Sequence, residues 1–142
     1  MRGYRKLFWL VALLVAFVGC EKRDYTKEPA TMHWDRDMCE RCKMAISERK
    51  FAVEGIDQKG KVHKFDDIGC LILWQKLERP DIRFVKIWIK DAKTGEWIDA
   101  KKACYTTGAI TPMGYGFAAH KDRMAGCIDF ETMKKEVEKI GR

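Results

Sequence analysis

Hydrophobic and polar positions alternate along Phe51-Ala-Val-Glu-Gly-Ile56 and again along Val62-His-Lys-Phe65, with Asp57-Gln-Lys-Gly60 between them. Alternation puts every second side chain on one face of an extended chain, and a turn rich in Asp and Gly reverses it, so this stretch predicts a β-hairpin. Asp66 or Asp67 stands where a helix N-cap is needed, ahead of Ile68, Leu71, Ile72 and Leu77, and Pro80 ends that helix. Residues 82–89 are β-branched and aromatic, the composition of a largely buried strand. The first half therefore reads strand–strand–helix–strand, closed by the turn Lys93-Thr-Gly-Glu96.

Short strands are expected at Trp97-Ile98, Ala103-Cys-Tyr-Thr106 and Gly116-Phe-Ala-Ala-His120, with a last one at Cys127-Ile128. Phe130, Met133, Val137 and Ile140 recur at spacings of three, four and three, the stripe of an amphipathic helix with Met133 in the core. In each half a methionine (Met44, Met113) precedes a strand pattern, then a cysteine-bearing segment and a helix. That echo is the pattern of two short α+β lobes related by duplication, over roughly residues 40–92 and 93–142.

The N-terminus is read separately, because it looks like a processing segment. Arg2, Arg5 and Lys6 precede an apolar run over residues 7–18, shorter than the roughly 20 residues that span a bilayer as a helix. Phe17-Val18-Gly19-Cys20 has the form of a bacterial lipobox, with Phe17 where Leu is more usual. Residues 1–19 are then a lipoprotein signal peptide and Cys20 the acylated first residue of the mature chain, anchored to a lipid membrane on the extracytoplasmic (periplasmic) side. An ordinary signal peptide with an incidental cysteine is the alternative. Residues 20–30, polar and charged up to Pro29, read as a flexible tether, and residues 31–142 as the folded part. The formal charge of +7 includes the three signal cations, and no Lys/Arg block is interleaved with aromatics. That describes a solvated surface beside an anionic membrane and not a nucleic-acid site.

Five of the six cysteines follow Cys20: Cys39, Cys42, Cys70, Cys104 and Cys127. An odd number in an oxidising compartment leaves at least one thiol unpaired, and metal ligation is a reason for it to persist. Cys39-Glu-Arg-Cys-Lys-Met44 sets three sulfur side chains within six positions, and thiolate with thioether favours Cu(I) over harder ions. If the segment is extended, Cys42 and Met44 share a face, and a turn brings Cys39 close. Met113, on the loop Thr-Pro-Met-Gly-Tyr-Gly, reads by itself as core filler, and its place opposite Met44 in the echo makes it a candidate distal ligand. Cys39 and His120 are held in reserve as ligands. Cys70 reads as a small buried hydrophobe on the apolar side of its helix, and His33 and His63 as exposed. Whether Cys104 and Cys127 pair is open.

Other chemistries find less support. Cys39-x-x-Cys42 could be the redox couple of a membrane-tethered thiol–disulfide oxidoreductase, but a polar stretch and a hairpin follow it where such sites have a long helix. A structural zinc site would need two further ligands near Cys39 and Cys42. Covalent haem attachment is excluded by Lys43, which stands where a histidine is required. With no Ser-His-Asp set, phosphate-cradling loop or acid/base pair, the chain does not read as an enzyme.

The lipobox, Cys42-Lys-Met44, Phe65-Asp-Asp-Ile-Gly-Cys70 and Thr111-Pro-Met-Gly-Tyr-Gly-Phe117, in that order, resemble the NosL family of lipoproteins associated with assembly of nitrous oxide reductase. The resemblance implies a Cu(I)-binding metallochaperone with an α+β fold of two small ββαβ-type lobes, similar to the organomercurial lyase accessory domain. It also implies delivery of copper to an apo-cuproenzyme, nitrous oxide reductase or a similar one, with an ABC-type maturation complex. Cys42 and Met44 match the family's Cys-x-Met ligands and Met113 the methionine of its second lobe. Lys43 departs from the Cys-Gly-Met usual in the family, which changes the loop and adds a cation beside the site.

Overall fold

The hairpin expected from the alternating segment is formed by β1 (Val53–Asp57) and β2 (Val62–Phe65), paired antiparallel from Val53 opposite Phe65 to Ile56 opposite Val62. In this computed structural model the described residues are 21–141, together with Gly3, Tyr4, Trp9 and Gly19. The expected acylation site Cys20 and most of the apolar run before it lie outside them. Among the described residues no helix is long and apolar enough to cross a membrane.

β3 (Phe84–Lys90) pairs antiparallel with the other side of β1, and β4 (Trp97–Asp99) pairs with β3, so the sheet runs β2-β1-β3-β4. The sheet therefore crosses the lobe boundary expected at residues 92–93. The cause is the turn after β3: the Asp91 carboxylate accepts the backbone N–H groups of Lys93 and Thr94, and the Asp91 N–H donates to the Glu96 carbonyl. The chain folds straight back onto β3 before it can start a new unit.

Between β2 and β3 lies α1 (Ile68–Leu73), capped by Asp67, whose Oδ1 accepts the Gly69 N–H at 3.2 Å. All six of its residues are buried. It runs on as a π-helical turn over Trp74–Glu78, closed by the Arg79 N–H on the Trp74 carbonyl. The wider turn breaks the 3.6-residue period, which is why Leu77, expected in the apolar stripe, is 55 % exposed.

The second half builds a smaller unit. β5 (Cys104–Thr106) and β6 (Ala118–His120) form a two-stranded antiparallel sheet, and Ile128 adds a single bridge to Tyr105. α2 (Phe130–Ile140) is capped by Asp129 and packs against α1, with Phe130, Met133 and Val137 buried as their spacing predicts, while Ile140, expected in the same stripe, ends the helix exposed. The first lobe is ββαβ with an added edge strand, but the second is ββα, so the expectation of two ββαβ lobes holds only for the first. One core joins them: Phe65, Trp74 and Phe84 from the first lobe are continuous with Tyr105, Phe130 and Met133 from the second.

The expected tether is held at two points. Trp88 Nε1 donates to the Tyr25 carbonyl at 2.9 Å, and the Ala30 N–H donates to Glu54 Oε2 at 2.8 Å. Glu54 is fully buried in β1, and burial pushes its carboxyl up to about 7 despite the Ala30 N–H.

Candidate metal centre

The motif at residues 39–44 is a tight hairpin. Met38 and Ala45 form an antiparallel bridge, the Cys39 N–H donates to the Met44 carbonyl at 2.9 Å, and the Lys43 N–H donates to the Cys39 carbonyl at 3.0 Å. Lys43 closes the turn in the left-handed region, with φ 62°, a conformation that costs an L-residue strain and suits glycine. The extended spacing expected to pair Cys42 with Met44 is thus interrupted. Cys42 turns inward, half-buried, while Met44 is 55 % exposed.

The sulfur of Cys42 meets the start of α1. Its thiol donates to Asp66 Oδ2 at 3.1 Å. Cys39, Cys42, Cys70 and Asp66 each offer a donor atom, and the four atoms lie within 4.8 Å of one another. Cys39, Cys70 and Asp66 are buried, and Asp66 Oδ1 has no hydrogen-bond partner. The two adjacent aspartates divide the work. Asp66 faces the sulfurs, whereas Asp67 caps α1 through Oδ1 and accepts the Met113 N–H on Oδ2 at 3.2 Å.

That second bond docks the loop of the smaller lobe. Within it the Thr111 hydroxyl accepts the Gly116 N–H and the Thr111 carbonyl accepts the Gly114 N–H. The ring of Tyr115 lies against Gly69, where any Cβ would collide with it, so Gly69 in α1 is what allows the loop to approach. A cleft of about 350 Å³ separates hairpin and loop, lined by Met44, Ala45 and Glu48 on one side, Ile110 and Pro112 on the other, and Asp66 at its base. Met113 follows Pro112 in the loop, is not among the residues that line the cleft, and is 40 % exposed.

The three thiols differ in acidity. The Cys70 thiol donating to Cys39 lowers the Cys39 pKa to about 7, helped against burial by the N–H groups of Asp66, Cys42 and Arg41. Burial pushes Cys42 up to about 12, and Asp66 and Cys39 add to it. Cys70 is raised, first by its hydrogen bond to Cys39 and then by burial. Cys39 is therefore the most acidic of the three thiols, and a metal ion bound among them would displace their protons.

Of the residues singled out in the sequence, Cys42 and the reserve Cys39 are brought together, and Met44 lines the cleft that reaches Asp66. His120 lies outside the four-donor group, on β6, with Nε2 at 3.1 Å from the Thr106 hydroxyl. His63, expected to be exposed, is buried between Glu40 (Nδ1, 2.9 Å) and Asp57 (Nε2, 3.0 Å), because it shares the inward face of β2 with Phe65. Cys104 and Cys127 form a disulfide with Cα atoms 5.6 Å apart. Two members of the cluster, Cys70 and Asp66, escaped sequence reasoning. Periodicity accounted for Cys70 as core and capping for the aspartate pair. No local pattern pairs Cys70 with Asp66, because Asp66 precedes the N-cap Asp67 and lies outside the helix, where the i,i+4 rule does not reach.

No protein-family model matches the chain, and neither does the sequence of any curated protein. Among solved structures, the crystal structure of the copper chaperone NosL from Shewanella denitrificans matches with a TM-score of 0.52, covering 78 % of this chain and 86 % of that one at 17 % identity. The chain shares that protein's α+β fold.

Proposed function

We propose that this protein is a NosL-like copper chaperone that carries Cu(I) on Cys42, Met44 and Met113 and releases it by ligand exchange. Supporting this reading is the cleft between hairpin and loop: the exposed Met44 lines it across from Pro112, the neighbour of Met113, and Asp66, which also lines it, accepts the thiol of the half-buried Cys42. Soft donors near a surface suit transfer, since an incoming sulfur or imidazole can replace them one at a time without redox change. The fold shared with a copper chaperone agrees with it. In this reading the chain works on the extracytoplasmic face, anchored to a bacterial membrane through acylated Cys20. Its client is an apo-cuproenzyme such as nitrous oxide reductase, met together with an ABC-type maturation complex. A disulfide in the smaller lobe accords with an oxidising compartment.

The oxidoreductase reading meets an obstacle in the acidities. An attacking thiol must be both ionised and reachable. Cys39, lowered to about 7, is fully buried, while Cys42, nearer solvent, is pushed up to about 12.

Titration of the protein with Cu(I) against a competing chelator tests the proposal. Cys42→Ser is expected to weaken binding by about a hundredfold, and Met44→Ala and Met113→Ala by about tenfold each, or about 1.4 kcal/mol. Weak binding by the parent, or indifference to all three changes, sinks the copper reading.

A further inference from the structure

The structure assigns to Cys39, Cys42, Cys70 and Asp66 a second metal site, closed and four-coordinate, for a thiophilic divalent d10 cation of the Zn(II) type. It adjoins, through Asp66, the cleft that Met44 lines, shares only Cys42 with the copper reading, and does not rest on that reading.

Three observations carry it. The donor set is complete: a Cys-x-x-Cys hairpin supplies two sulfurs, the first turn of α1 supplies a third, and Asp66 adds an oxygen, all within 4.8 Å of one another. Tetrahedral zinc with sulfur at ~2.3 Å holds its ligands about 3.7 Å apart, so the widest separation in the group needs to close by no more than roughly 1 Å. Cys42, on the half-buried hairpin tip, can move by that much.

Second, Asp66 Oδ1 is a buried oxygen with no partner, on a residue only 3 % exposed whose Oδ2 already meets the Cys42 thiol. A buried carboxylate oxygen left unpaired is costly unless something binds it. A cation among the sulfurs would bind this carboxylate, relieve its unpaired oxygen and replace the Cys42 proton at the same time.

Third, the oxygen decides between metals. Cu(I) prefers two or three sulfurs and has little use for a carboxylate, whereas zinc accepts thiolate and carboxylate together. Three thiolates and Asp66 around Cu(I) would leave a buried net charge of −3, and around Zn(II) −2, counting the four donors' charges against the ion's. The two further ligands that a zinc reading of Cys39 and Cys42 lacks in the sequence are supplied here by folding.

Co(II), an optical stand-in for Zn(II), gives the test on the full chain, purified anaerobically in detergent with its disulfide intact. One equivalent is expected to give thiolate charge-transfer absorption with tetrahedral d–d bands, and Zn(II) to displace it. Cys39→Ser and Cys70→Ser should abolish the signal and Asp66→Asn weaken binding about tenfold, while the Met44→Ala, Met113→Ala double variant keeps it. Because the buried cysteine variants could misfold, X-ray absorption at the zinc edge of the unsubstituted protein reads the shell directly, as three sulfurs and one oxygen. Absence of Co(II) and Zn(II) binding overturns the assignment, as does an octahedral spectrum. It is also overturned if Cys39→Ser and Cys70→Ser abolish Cu(I) binding in a chain that takes up no zinc, since the buried thiols then belong to copper. Failure of the copper reading shows separately, as Cu(I) affinity that ignores Met44 and Met113.

Discussion

Among the described residues two neighbourhoods hold cysteines, and they use them in opposite ways. Where α1 begins, three thiols crowd together unbonded, on a lobe whose central strand is buried along its whole length and flanked by paired strands on both sides. In the smaller lobe, two strands of three residues each have little sheet to hold them, and there Cys104 and Cys127 are joined. A short two-stranded ribbon is not stable by itself, whereas a four-stranded sheet packed on a helix is. Sulfur stays available for binding in the lobe that keeps its shape without a covalent brace. In the other it is consumed by that brace.

The largest expected effect breaks this contrast at its weaker side. Replacing Cys104 and Cys127 together by serine removes a cross-link across 23 residues and should cost roughly 3 kcal/mol in urea unfolding. The reactivity of Cys39, Cys42 and Cys70 towards a thiol reagent should change little under native conditions. A loss below about 0.5 kcal/mol, set against that expectation, would mean that the smaller lobe leans on α1 and does not need the brace.

A smaller effect belongs to the larger lobe alone. Burial raises the Glu54 carboxyl from its ordinary 4.5 to about 7. A carboxyl raised by folding favours the fold fully below its unfolded value, and that contribution is lost as pH climbs through the folded one, here from about 4.5 to about 7. Glu54→Gln should flatten this decline and leave the variant more stable at about pH 8 by about 2 kcal/mol, after allowance for solvent screening. His63 contributes a decline of the same sign at higher pH. Burial opposes its charged form, but Glu40 and Asp57 outweigh burial and raise its pKa above 6.5. Urea midpoints measured across this range separate the two, and an undiminished slope in the Glu54 variant would remove that residue from the account.

The smallest effect concerns the hairpin that carries Cys39 and Cys42. Lys43→Gly relieves a left-handed residue at φ 62° but loosens the unfolded chain, so the net gain is expected to be under about 1 kcal/mol. Cu(I) affinity should hold or rise slightly, since Lys43 donates only its backbone N–H to the turn. A marked fall in affinity would show that the ammonium takes part in binding.

The larger lobe was the more legible in sequence, for the same reason that it is the more stable. Its hairpin, cap and buried strand follow from alternation, Asp67 and β-branched composition, all local signals. The smaller lobe's strands were found too, but β4 was given to the wrong sheet, because pairing is decided by the Asp91 turn and not by the strand's own residues. The site was half legible. Cys39, Cys42 and Met44 stand out by spacing, whereas Cys70 and Asp66 join them only once the hairpin folds against the start of α1, a contact no local pattern announces. Lys43 hid another point, since without glycine as a marker nothing in the sequence signalled a left-handed turn.

Beside the shared core, Asp67 ties the two lobes together at the candidate site. Its two oxygens hold the first turn of α1 and the backbone of Met113. If, as proposed, an acceptor drew Met113 outward, a hydrogen bond to a buried carboxylate would be lost, at about 1–3 kcal/mol. In the copper-carrier proposal, one carboxylate would then couple the loop of Met113 to the helix turn that bears Cys70.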